Sequence, residues 1–433
     1  MKNYKFPPQI ITALELLEKE GFEAVVVGGA VRDFFLDKEP HDFDLATNAT
    51  VEEMSKVFKD FKVIETGIKH GTLTIHIDHF PTEITSYRGQ TNTLKEDLYL
   101  RDFTFNSMAM DKNYNLYDFY NGKQDLESKT VRCNSEHTFI NDPLRILRAI
   151  RQSVKYHFSI DATTKKLMER DSKLLSKVSN ERISSELSQI LVSDNPQKSI
   201  KENIDIFLEI IPELKDMIGF EQNNPHHIYD VFDHTMKVLE NTPPNLEIRL
   251  AALFHDIGKP KCYSEDEEGI GHFYGHDEIS SKMAREILKR LKFDNKTIDN
   301  VCKLIEFHDY PIYDNEKSLK KFLNKFDDND LIDSLFILKG ADILGQNLKH
   351  KNNMQELKSA NKTIKKIIKE KESCFTLKQL NVNGKDLIGI GIKDGKLIGQ
   401  CLNQLLSDVI EGTVANEKEA LLEHIKKKSL NRR

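Results

Sequence analysis

Two aspartates one residue apart, Asp42 and Asp44, follow the glycine pair Gly28-Gly29 near the start of the chain. Carboxylate oxygens are hard ligands that suit Mg²⁺. Glycines have no Cβ, so their backbone N–H groups can approach a phosphate closely. One short segment could therefore hold a divalent metal and a phosphate together, which is what metal-dependent phosphoryl or nucleotidyl transfer requires.

A strand, a turn, a helix and a second strand would position these groups. The apolar run at 25–27 predicts a buried strand, and a helix is expected to open near Ala30 with its free N–H groups facing a phosphate. Arg32 and Asp33 fall in the first turns of that helix. A strand over 42–46 would place both aspartates on one face and the intervening phenylalanine in the core. Further strands are predicted at 72–78, 82–86 and 104–110, and the pattern becomes helical from about residue 137.

The composition describes a highly charged chain with room for two to four domains. It has 433 residues, of which 39% are hydrophobic and 30% charged, and its mean hydropathy is −0.51. No apolar run reaches the length of a membrane span, and the N-terminus lacks the apolar core of a signal peptide. We therefore expect a cytoplasmic protein with no membrane partner. The five cysteines form no CxxC pair, which argues against a cysteine zinc site or a disulfide framework.

The net charge of −6 does not by itself indicate a nucleic-acid partner. A protein of this charge that binds RNA must concentrate its basic residues locally. Two basic runs, at 145–155 and 426–433, are candidates, although solvated helix faces account for such runs about as well.

The segments GGAVRDFFL (28–36) and DFDLAT (42–47), taken together, resemble the signature of the class II tRNA nucleotidyltransferases and bacterial poly(A) polymerases. These proteins belong to the polymerase β-like nucleotidyltransferase superfamily. The resemblance implies an α+β fold, in which a nucleotidyltransferase head is followed by all-α neck, HD and tail domains. We place these four domains at 1–135, 136–220, 221–350 and 351–433.

The same resemblance implies two Mg²⁺ ions at the polymerase-like site. Asp42 and Asp44 would hold them, and Glu83 in TEITSYR (82–88) matches the third carboxylate of the family. One metal would activate the 3′-hydroxyl of the RNA, and the other would bind the triphosphate and stabilise the leaving pyrophosphate. Four residues of the turn and helix would contribute to nucleotide binding: Gly28, Gly29, Arg32 and Asp33.

The segment DLYLRDFTFNSMA (97–109) resembles the ribose-selecting motif of the family. Arg101, Asp102 and Asn106 fall on its matching positions. Leu100 stands where the family usually has an arginine, so the local detail departs from the pattern.

The segment NDPLRILRAIR (141–151) resembles the base-reading motif of the family. In it, Asp142 and Arg145 match the acid–arginine pair that templates the incoming base. A carboxylate accepts from the exocyclic amino group of cytosine or adenine, and an arginine donates to ring acceptors. Asn141 replaces the usual glutamate. Arg148 and Arg151 would face phosphates.

SNERISSEL (179–187) resembles the neck motif of the family. Ser179 is expected to be a helix N-cap, since serine accepts from the first free N–H groups. Arg182 and Glu186 are four residues apart on the same helix and are expected to form an ion pair.

The loop after Arg88 is shorter than in the CCA-adding members, because only GQTNTLKE separates Arg88 from Asp97. In this family the longer loop acts as a lever that switches base preference from CTP to ATP. Members that add only CC, and leave the last A to a partner enzyme, resemble this chain in lacking it. The short loop therefore predicts a bias towards CC addition.

A second candidate site lies among the histidines. His-Asp dipeptides occur four times and mean little alone, but FHDIGK (254–259) resembles the HD-domain metal phosphohydrolases. The resemblance implies a transition metal (Mn, Fe, Ni, Co or Zn), and Lys259 would steady a substrate phosphate. A degenerate HD fold that only supports the tRNA is the alternative. The implied ligands are His234, His255, Asp256 and Asp342 for one metal, with His276 and His308 added in binuclear members.

The tail, residues 381–425, resembles the C-terminal segment of Gram-positive-type tRNA nucleotidyltransferases. Its apolar stripe of Leu402, Leu405, Leu406 and Val409 is expected to pack in a core, while the surface around it would grip the tRNA by shape and phosphates.

The resemblance as a whole implies template-independent addition of C to the 3′ end of tRNA, with CTP and ATP as nucleotides and pyrophosphate as the product. CC addition is favoured, with a separate A-adding enzyme acting next. Three alternatives stay open: a full CCA-adding enzyme with accessory HD phosphohydrolase activity, a poly(A) polymerase, and an HD phosphohydrolase whose head only binds RNA.

Overall fold

The computed structural model describes residues 5–40, 42–64, 71–224, 228–346, 351–370 and 373–430. It divides into two compact units, Met1–Pro212 and Glu213–Arg433. The first unit combines a sheet with helices, and the described part of the second is helical apart from one short hairpin, so the predicted α+β class is confirmed. Within the described residues, no helix is both long and apolar enough to span a membrane.

The first unit contains a seven-stranded sheet. Its strands are Ala24–Val27 (β1), Asp44–Thr47 (β2), Lys62–Ile64 (β3), Thr72–Ile77 (β4), Phe80–Ser86 (β5), Ala109–Met110 (β6) and Leu116–Tyr117 (β7). They lie in the order β3-β4-β5-β2-β1-β6-β7. Only β2 and β5 run parallel; the other neighbours are antiparallel. Thr130–Val131 (β8) and Ser159–Ile160 (β9) form a separate parallel pair.

Eleven helices accompany the sheet in the described part of this unit. They are Pro8–Lys19 (α1), Gly29–Phe35 (α2), Val51–Val57 (α3), Leu94–Tyr99 (α4), Gly122–Glu127 (α5), Thr138–Asn141 (α6), Arg145–Tyr156 (α7), Ala162–Asp171 (α8), Asn180–Leu191 (α9), Pro196–Glu202 (α10) and Ile204–Ile210 (α11). The change to helices near residue 137 is confirmed by α6 and α7.

The strand–turn–helix–strand unit forms as its apolar pattern predicts. Strand β1 is wholly buried, and the turn at Gly28 has φ +72°, a conformation that glycine adopts without strain. Helix α2 begins at Gly29, one residue before the expected position. Strand β2 begins at Asp44, so Asp42 precedes the strand instead of lying in it, while Phe43 is buried as expected.

The predicted strand at 104–110 is wrong in its first half, where Thr104–Asn106 form a 3₁₀ helix. Short polar side chains bond to nearby backbone here and compete with a strand ladder. The carboxylate of Asp102 accepts from Phe103 N at 2.9 Å, and Ser107 Oγ donates to Phe103 O at 2.8 Å. Phe103 and Phe105 are both fully buried, with ring centroids 5.7 Å apart.

The described part of the second unit has ten helices. They are Val231–Glu240 (α12), Leu246–Phe254 (α13), His276–Arg290 (α14), Asn295–Phe307 (α15), Glu316–Phe326 (α16), Ile332–Gly345 (α17), Lys351–Lys369 (α18), Gly384–Gly389 (α19), Gly395–Ile410 (α20) and Lys418–Leu430 (α21). The hairpin Ser264–Glu265 (β10) and Gly271–His272 (β11) precedes α14. The apolar stripe of the tail packs in a core cluster, as predicted: Leu405 and Leu406 are buried in it, and Leu402 and Val409 pack against it.

Candidate functional site

Three carboxylates meet at one end of the sheet. Strand β2 lies between β1 and β5, and the parallel register places Asp44 directly beside Glu83. The antiparallel register with β1 pairs Asp44 with Val27, so the turn at Gly28 follows at the same end. Asp42 lies two residues before the start of β2, and all three acidic side chains are exposed. The register therefore gathers the predicted metal ligands beside the predicted phosphate turn.

The pKa of Asp44 is shifted by the groups around it. Surrounding protein raises the pKa of Asp44 above its ordinary value, Arg101 opposes the rise, and the negative charge of Asp42 adds to it. A bound cation would relieve the repulsion between the carboxylates, which is how a metal site lowers the cost of clustered acids.

A cavity of about 370 Å³ opens beside the glycine turn. Six arginines and three aspartates line it, so it is locally positive although the chain is negative overall. A positive cleft of this kind suits a triphosphate. Ten of the predicted site residues line it: Gly28, Gly29, Arg32, Asp44, Arg101, Asp102, Asn106, Asp142, Arg145 and Arg148.

A chain of hydrogen bonds joins the cavity residues of α2, the 3₁₀ helix and α7. Arg32 Nη1 donates to Asn106 Oδ1 at 2.7 Å, and Asn106 Nδ2 donates to Asp102 Oδ1 at 2.9 Å. Arg148 Nε donates to Asp102 Oδ2 at 3.0 Å. Burial alone would raise the pKa of Asp102, but the Arg148 charge and the Asn106 hydrogen bond outweigh it, and the net direction is downward.

Asp142 and Arg145, the pair predicted to read the base, are held by contacts from two different segments. Arg182 Nη2 on α9 donates to Asp142 Oδ2 at 2.8 Å. Arg145 Nη2 instead donates to the backbone oxygen of Leu100 at 2.9 Å. Since that contact uses only the backbone, the replacement of the usual arginine by Leu100 leaves it intact. Both Asp142 and Arg145 line the cavity.

The expected ion pair between Arg182 and Glu186 is wrong, because each has a different partner. Arg151 Nε donates to Glu186 Oε2 at 2.5 Å, while Arg182 bonds to Asp142. The Arg151 and Glu186 side chains are only 11% and 7% exposed, and buried charges need partners. Arg151 is not among the cavity-lining residues, and its expected contact with phosphates stays a prediction. Ser179 is the N-cap residue of α9, although its side chain makes no capping bond.

The short loop after Arg88 is a closed turn. Gln90 N and Thr91 N donate to Glu96 Oε2 at 3.0 and 2.6 Å, and Arg88 N donates to Asp97 Oδ1 at 3.2 Å. Gly89 has φ +103°, and a Cβ there would lie 2.2 Å from the Glu96 carboxyl carbon. The loop is therefore tied to the first turn of α4.

Sequence reasoning missed three cavity-lining residues as site residues: Arg88, Gln152 and Arg182. Gln152 lies four residues after Arg148 on α7, so helical spacing from the base-reading motif was a signal that could have identified it. Arg182 gave no such signal, because α9 reaches the cavity only through tertiary packing. Asp33, outside the cavity lining, accepts from Arg32 Nε at 2.9 Å.

The histidine cluster is assembled from five helices in the second unit. His234 comes from α12, His255-Asp256 follow α13, His276 begins α14, His308 follows α15 and Asp342 lies on α17. Two sets of residues each offer three possible ligand atoms that lie within 4.8 Å of one another. The first set is His234, His255 and Asp256, and the second is Asp256, His276 and His308. Asp256 is common to both. Asp342 Oδ1 lies 2.9 Å from His234 Nε2.

Each of the four histidines has its Nδ1 next to a backbone oxygen. The partners are Gly345 O at 3.3 Å, Ala252 O at 2.8 Å, Phe273 O at 2.9 Å and Ile305 O at 2.6 Å, for His234, His255, His276 and His308. A proton on Nδ1 leaves the Nε2 lone pair facing the cluster, which is the arrangement of metal-binding histidines.

The Nε2 atoms of this cluster crowd around one carboxylate. His255 and His234 approach within 3.4 Å, and His276 and His308 within 3.2 Å. Both oxygens of Asp256 are buried and lack a hydrogen bond of good geometry, although Lys259 Nζ lies 2.8 Å from one of them. The neighbouring His255 and Lys259 hold the pKa of Asp256 well below its usual range despite burial, which by itself would raise it. Converging lone pairs and a buried anion suit a cation.

Lys259 is held beside the histidine cluster by two side-chain contacts. Its ammonium is nearly buried, and it donates to Gln222 Oε1 at 2.9 Å while pairing with Asp256. A cavity of about 430 Å³ leads to the cluster and is lined by Asp256, Lys259, His276, His308 and Asp342, with His272 and Tyr274 at its wall.

Comparison with known families identifies three segments. The poly(A) polymerase head domain matches residues 24–132, the probable RNA- and SrmB-binding site of polymerase A matches 157–218, and domain 2 of tRNA nucleotidyltransferases matches 263–425. The first segment contains the carboxylates and the glycine turn.

Several relatives named CCA-adding enzymes match the chain over nearly its whole length, and one matches about half of it. The one from Ligilactobacillus salivarius is 29% identical over 454 aligned positions, which cover 97% of each chain. The one from Lactobacillus gasseri is 35% identical over 229 positions, which cover 48% of this chain and 57% of the relative.

The fold is also similar to solved structures. The Bacillus stearothermophilus CCA-adding enzyme in complex with CTP has a TM-score of 0.69 at 23% identity, covering 98% of this chain and 100% of that one. The Thermotoga maritima CCA-adding enzyme complexed with tRNA has a TM-score of 0.63 at 22% identity, covering 98% and 96%. Three family matches along one chain, with relatives matched end to end, show that the chain belongs to the class II tRNA nucleotidyltransferase family and is a nucleotidyltransferase.

Proposed function

We propose that the chain adds nucleotides from CTP and ATP to the 3′ end of tRNA and releases pyrophosphate. The observation that carries the proposal is the register that sets Asp44 beside Glu83 next to the turn at Gly28. The adjoining cavity is rich in arginine, as a triphosphate site requires. Relatives named CCA-adding enzymes, and structural neighbours in complex with CTP, ATP and tRNA, support the choice of substrates.

The carboxylate cluster fits divalent metals. Asp42, Asp44 and Glu83 present oxygen ligands on exposed side chains, and the carboxylate of Asp42 lies near enough to Asp44 for its charge to raise the Asp44 pKa, although surrounding protein raises it more. Two Mg²⁺ ions held there would supply activation of the RNA 3′-hydroxyl and stabilisation of the leaving pyrophosphate.

The chain's own residues would bind and orient the nucleotide. Arg32 and Arg101 would hold the triphosphate and the sugar, with the glycine turn allowing close backbone approach. Asp142 would accept from the amino group of the base and Arg145 would donate to its ring acceptors. Their anchors on α9 and on the Leu100 backbone keep both groups oriented before the nucleotide arrives, which favours rapid transfer.

We further propose that addition stops at CC. Backbone N–H groups of the loop after Arg88 donate to the side-chain carboxylates of Glu96 and Asp97, so the loop lacks the length and freedom expected of a lever that would reshape the base site for ATP. A separate A-adding enzyme would then complete the tail. Full CCA addition, the activity for which the relatives are named, is the competing outcome.

Sequencing of tRNA 3′ ends tests both parts of this proposal. Transcripts that end before the CCA tail are incubated with CTP alone and with CTP plus ATP. We expect two added C residues under both conditions, and efficient addition of the last A would contradict the CC assignment. Asp44→Asn removes a ligand charge and is expected to lower the rate at least about 100-fold. The exposed Asp60→Asn is the matched control, and an active Asp44→Asn would overturn the site.

A second function is favoured by the histidine cluster. We propose that His234, His255, Asp256 and Asp342 hold one transition metal and that Asp256, His276 and His308 can hold a second. Nitrogen and carboxylate donors suit Mn, Fe, Ni, Co or Zn, and the buried Asp256 carboxylate, whose oxygens lack a hydrogen bond of good geometry, fits such an ion. When bound, the metal would activate a water for phosphoester hydrolysis.

Metal analysis of the purified protein tests the second function. The double variant His255→Ala/Asp256→Ala is expected to lose nearly all bound transition metal, whereas His137→Ala, an exposed histidine, keeps it. Nucleotide addition by the double variant is expected to persist, because the carboxylates lie in the other compact unit. Equal metal content in all three proteins would refute the site.

A further inference from the structure

The side-chain amide of Gln152 lies in the wall of the arginine-lined cavity without a hydrogen bond. Gln152 is only 4% exposed, and its Oε1 has no hydrogen-bond partner. It lies on α7, one turn after Arg148 and two turns after Arg145, so the three side chains share the face that borders the cavity.

An unpaired buried amide is costly. A buried polar group without a hydrogen-bond partner destabilises the fold, because it has lost its contacts with water and gained none in return. Of the described side chains with orphaned buried atoms, Gln152 and Asp256 are the two that border the cavities described above. For Asp256 a cation is the natural partner. The amide oxygen of Gln152 instead needs a hydrogen-bond donor. A ligand that enters the cavity must supply that donor.

Asp102, in the motif expected to select ribose, has little acceptor capacity left. Its Oδ1 accepts from Phe103 N and Asn106 Nδ2, both at 2.9 Å. Its Oδ2 accepts from Arg148 Nε at 3.0 Å and Nη2 at 2.5 Å. A carboxylate has about four lone-pair sites, so all of them are used before a nucleotide binds.

The parts of a nucleotide differ in what they can donate. Phosphate oxygens only accept, and they match the arginines of the cavity. The base donates through its amino group, but Arg145, which is expected to read it, is seven residues away along α7, or roughly 10 Å. The remaining donors are the ribose hydroxyls, which lie between the base and the phosphates.

We propose that Gln152 Oε1 accepts a hydrogen bond from a ribose hydroxyl of the incoming nucleotide and thereby discriminates ribonucleotides from deoxynucleotides. This inference rests on the proposed nucleotide site. The family motif alone would assign the contact with the ribose to the segment around Asp102, whereas here Gln152 makes it.

The test compares CTP with 2′-deoxy-CTP and 3′-deoxy-CTP in a single addition to a tRNA whose 3′ end stops after the first C of the CCA tail. Gln152→Leu keeps the approximate shape and removes the acceptor. We expect its kcat/KM for CTP to fall about 3–10-fold, the loss of one neutral hydrogen bond. The analogue that lacks the contacted hydroxyl should be unaffected by the substitution, and its identity distinguishes the 2′ from the 3′ hydroxyl. Gln189→Leu, an exposed glutamine on α9, is the matched control.

Thermal unfolding provides the readout that a purely structural role would not give. Because Gln152→Leu removes an orphaned polar group, we expect Tm of the ligand-free protein to rise. A fall in Tm, or an equal loss of kcat/KM for CTP and both analogues, would overturn the proposal. Gln152→Met is a second apolar variant if the leucine packs poorly.

Equilibrium binding of the same three nucleotides separates this inference from the proposed function. If the wild type transfers nothing but binds CTP more tightly than one deoxy analogue, and Gln152→Leu abolishes that preference, the transfer proposal fails and the hydroxyl contact stands. If transfer proceeds while the preference survives in Gln152→Leu, the hydroxyl contact fails and the transfer proposal stands.

Discussion

Asp142 and Arg145 belong to one motif, yet the structure anchors them independently. Arg182 orients the carboxylate and a backbone oxygen at Leu100 orients the guanidinium. Neither anchor could be inferred from the spacing of the motif, since both come from segments distant in sequence. At this scale, the residue type was predictable and the partner was not.

Arg182 is expected to act as a positioning residue for Asp142. Arg182→Gln removes the charge that orients the carboxylate, so we expect the preference for CTP over UTP to fall about 3–10-fold in competition assays. The Arg182 side chain is half exposed, which limits the effect. Arg182→Lys should restore part of the preference. Lys173→Gln, an exposed lysine of the same unit, is the control, and an unchanged preference in Arg182→Gln would exclude this role.

Elements were predictable where local pattern and packing agree. The unit from β1 to β2 formed within one or two residues of its expected bounds because its valines, glycines and aspartates each favour the observed conformation locally. The segment at 104–110 departed from the expected strand because side-chain hydrogen bonds from Asp102 and Ser107 stabilise a turn. The lysine-rich pattern at 355–372 is typical of a helix, and residues 355–369 lie in α18, although residues 371–372 lie outside the described part of the chain.

The last two helices are joined through a buried carboxylate. Asp408 on α20 is 4% exposed and accepts from Lys428 Nζ at 2.7 Å and His424 Nε2 at 3.0 Å, both on α21. Gln404 Nε2 donates to it at 3.1 Å. Burial raises the pKa of Asp408, but these three donors outweigh burial, and the net direction is below the ordinary value of 3.8.

The pH dependence of stability follows from that direction. A lowered pKa means that Asp408 stabilises the fold fully above its unfolded value of 3.8 and loses this contribution as pH falls through the lower folded value. We expect Asp408→Asn to reduce the free energy of unfolding by about 1–3 kcal/mol at pH 7. Urea unfolding should show the difference from wild type shrinking at pH 3. Glu419→Gln, exposed on α21, should have little effect, and a difference independent of pH would contradict the assignment.

At the scale of the whole molecule, the two candidate sites belong to different compact units. The carboxylates and the arginine-lined cavity are built entirely within Met1–Pro212, and the histidine cluster entirely within Glu213–Arg433. Each unit thus completes its own site from its own helices and strands. The chain carries a net charge of −6, and the local excess of arginine in the first cavity reconciles that value with an anionic substrate.

The sequence alone determined the α+β class and the family and predicted most residues of both candidate sites, because local motifs combine turn chemistry, hydrophobic period and reactive side chains within short stretches. The tertiary structure decided which groups meet. Strand register set Asp44 beside Glu83, and helix packing paired Arg151 with Glu186. It also gathered four histidines around Asp256 and left Gln152 unpaired in the cavity. Such meetings depend on contacts between distant segments, for which the periodicity of a single chain carries no signal.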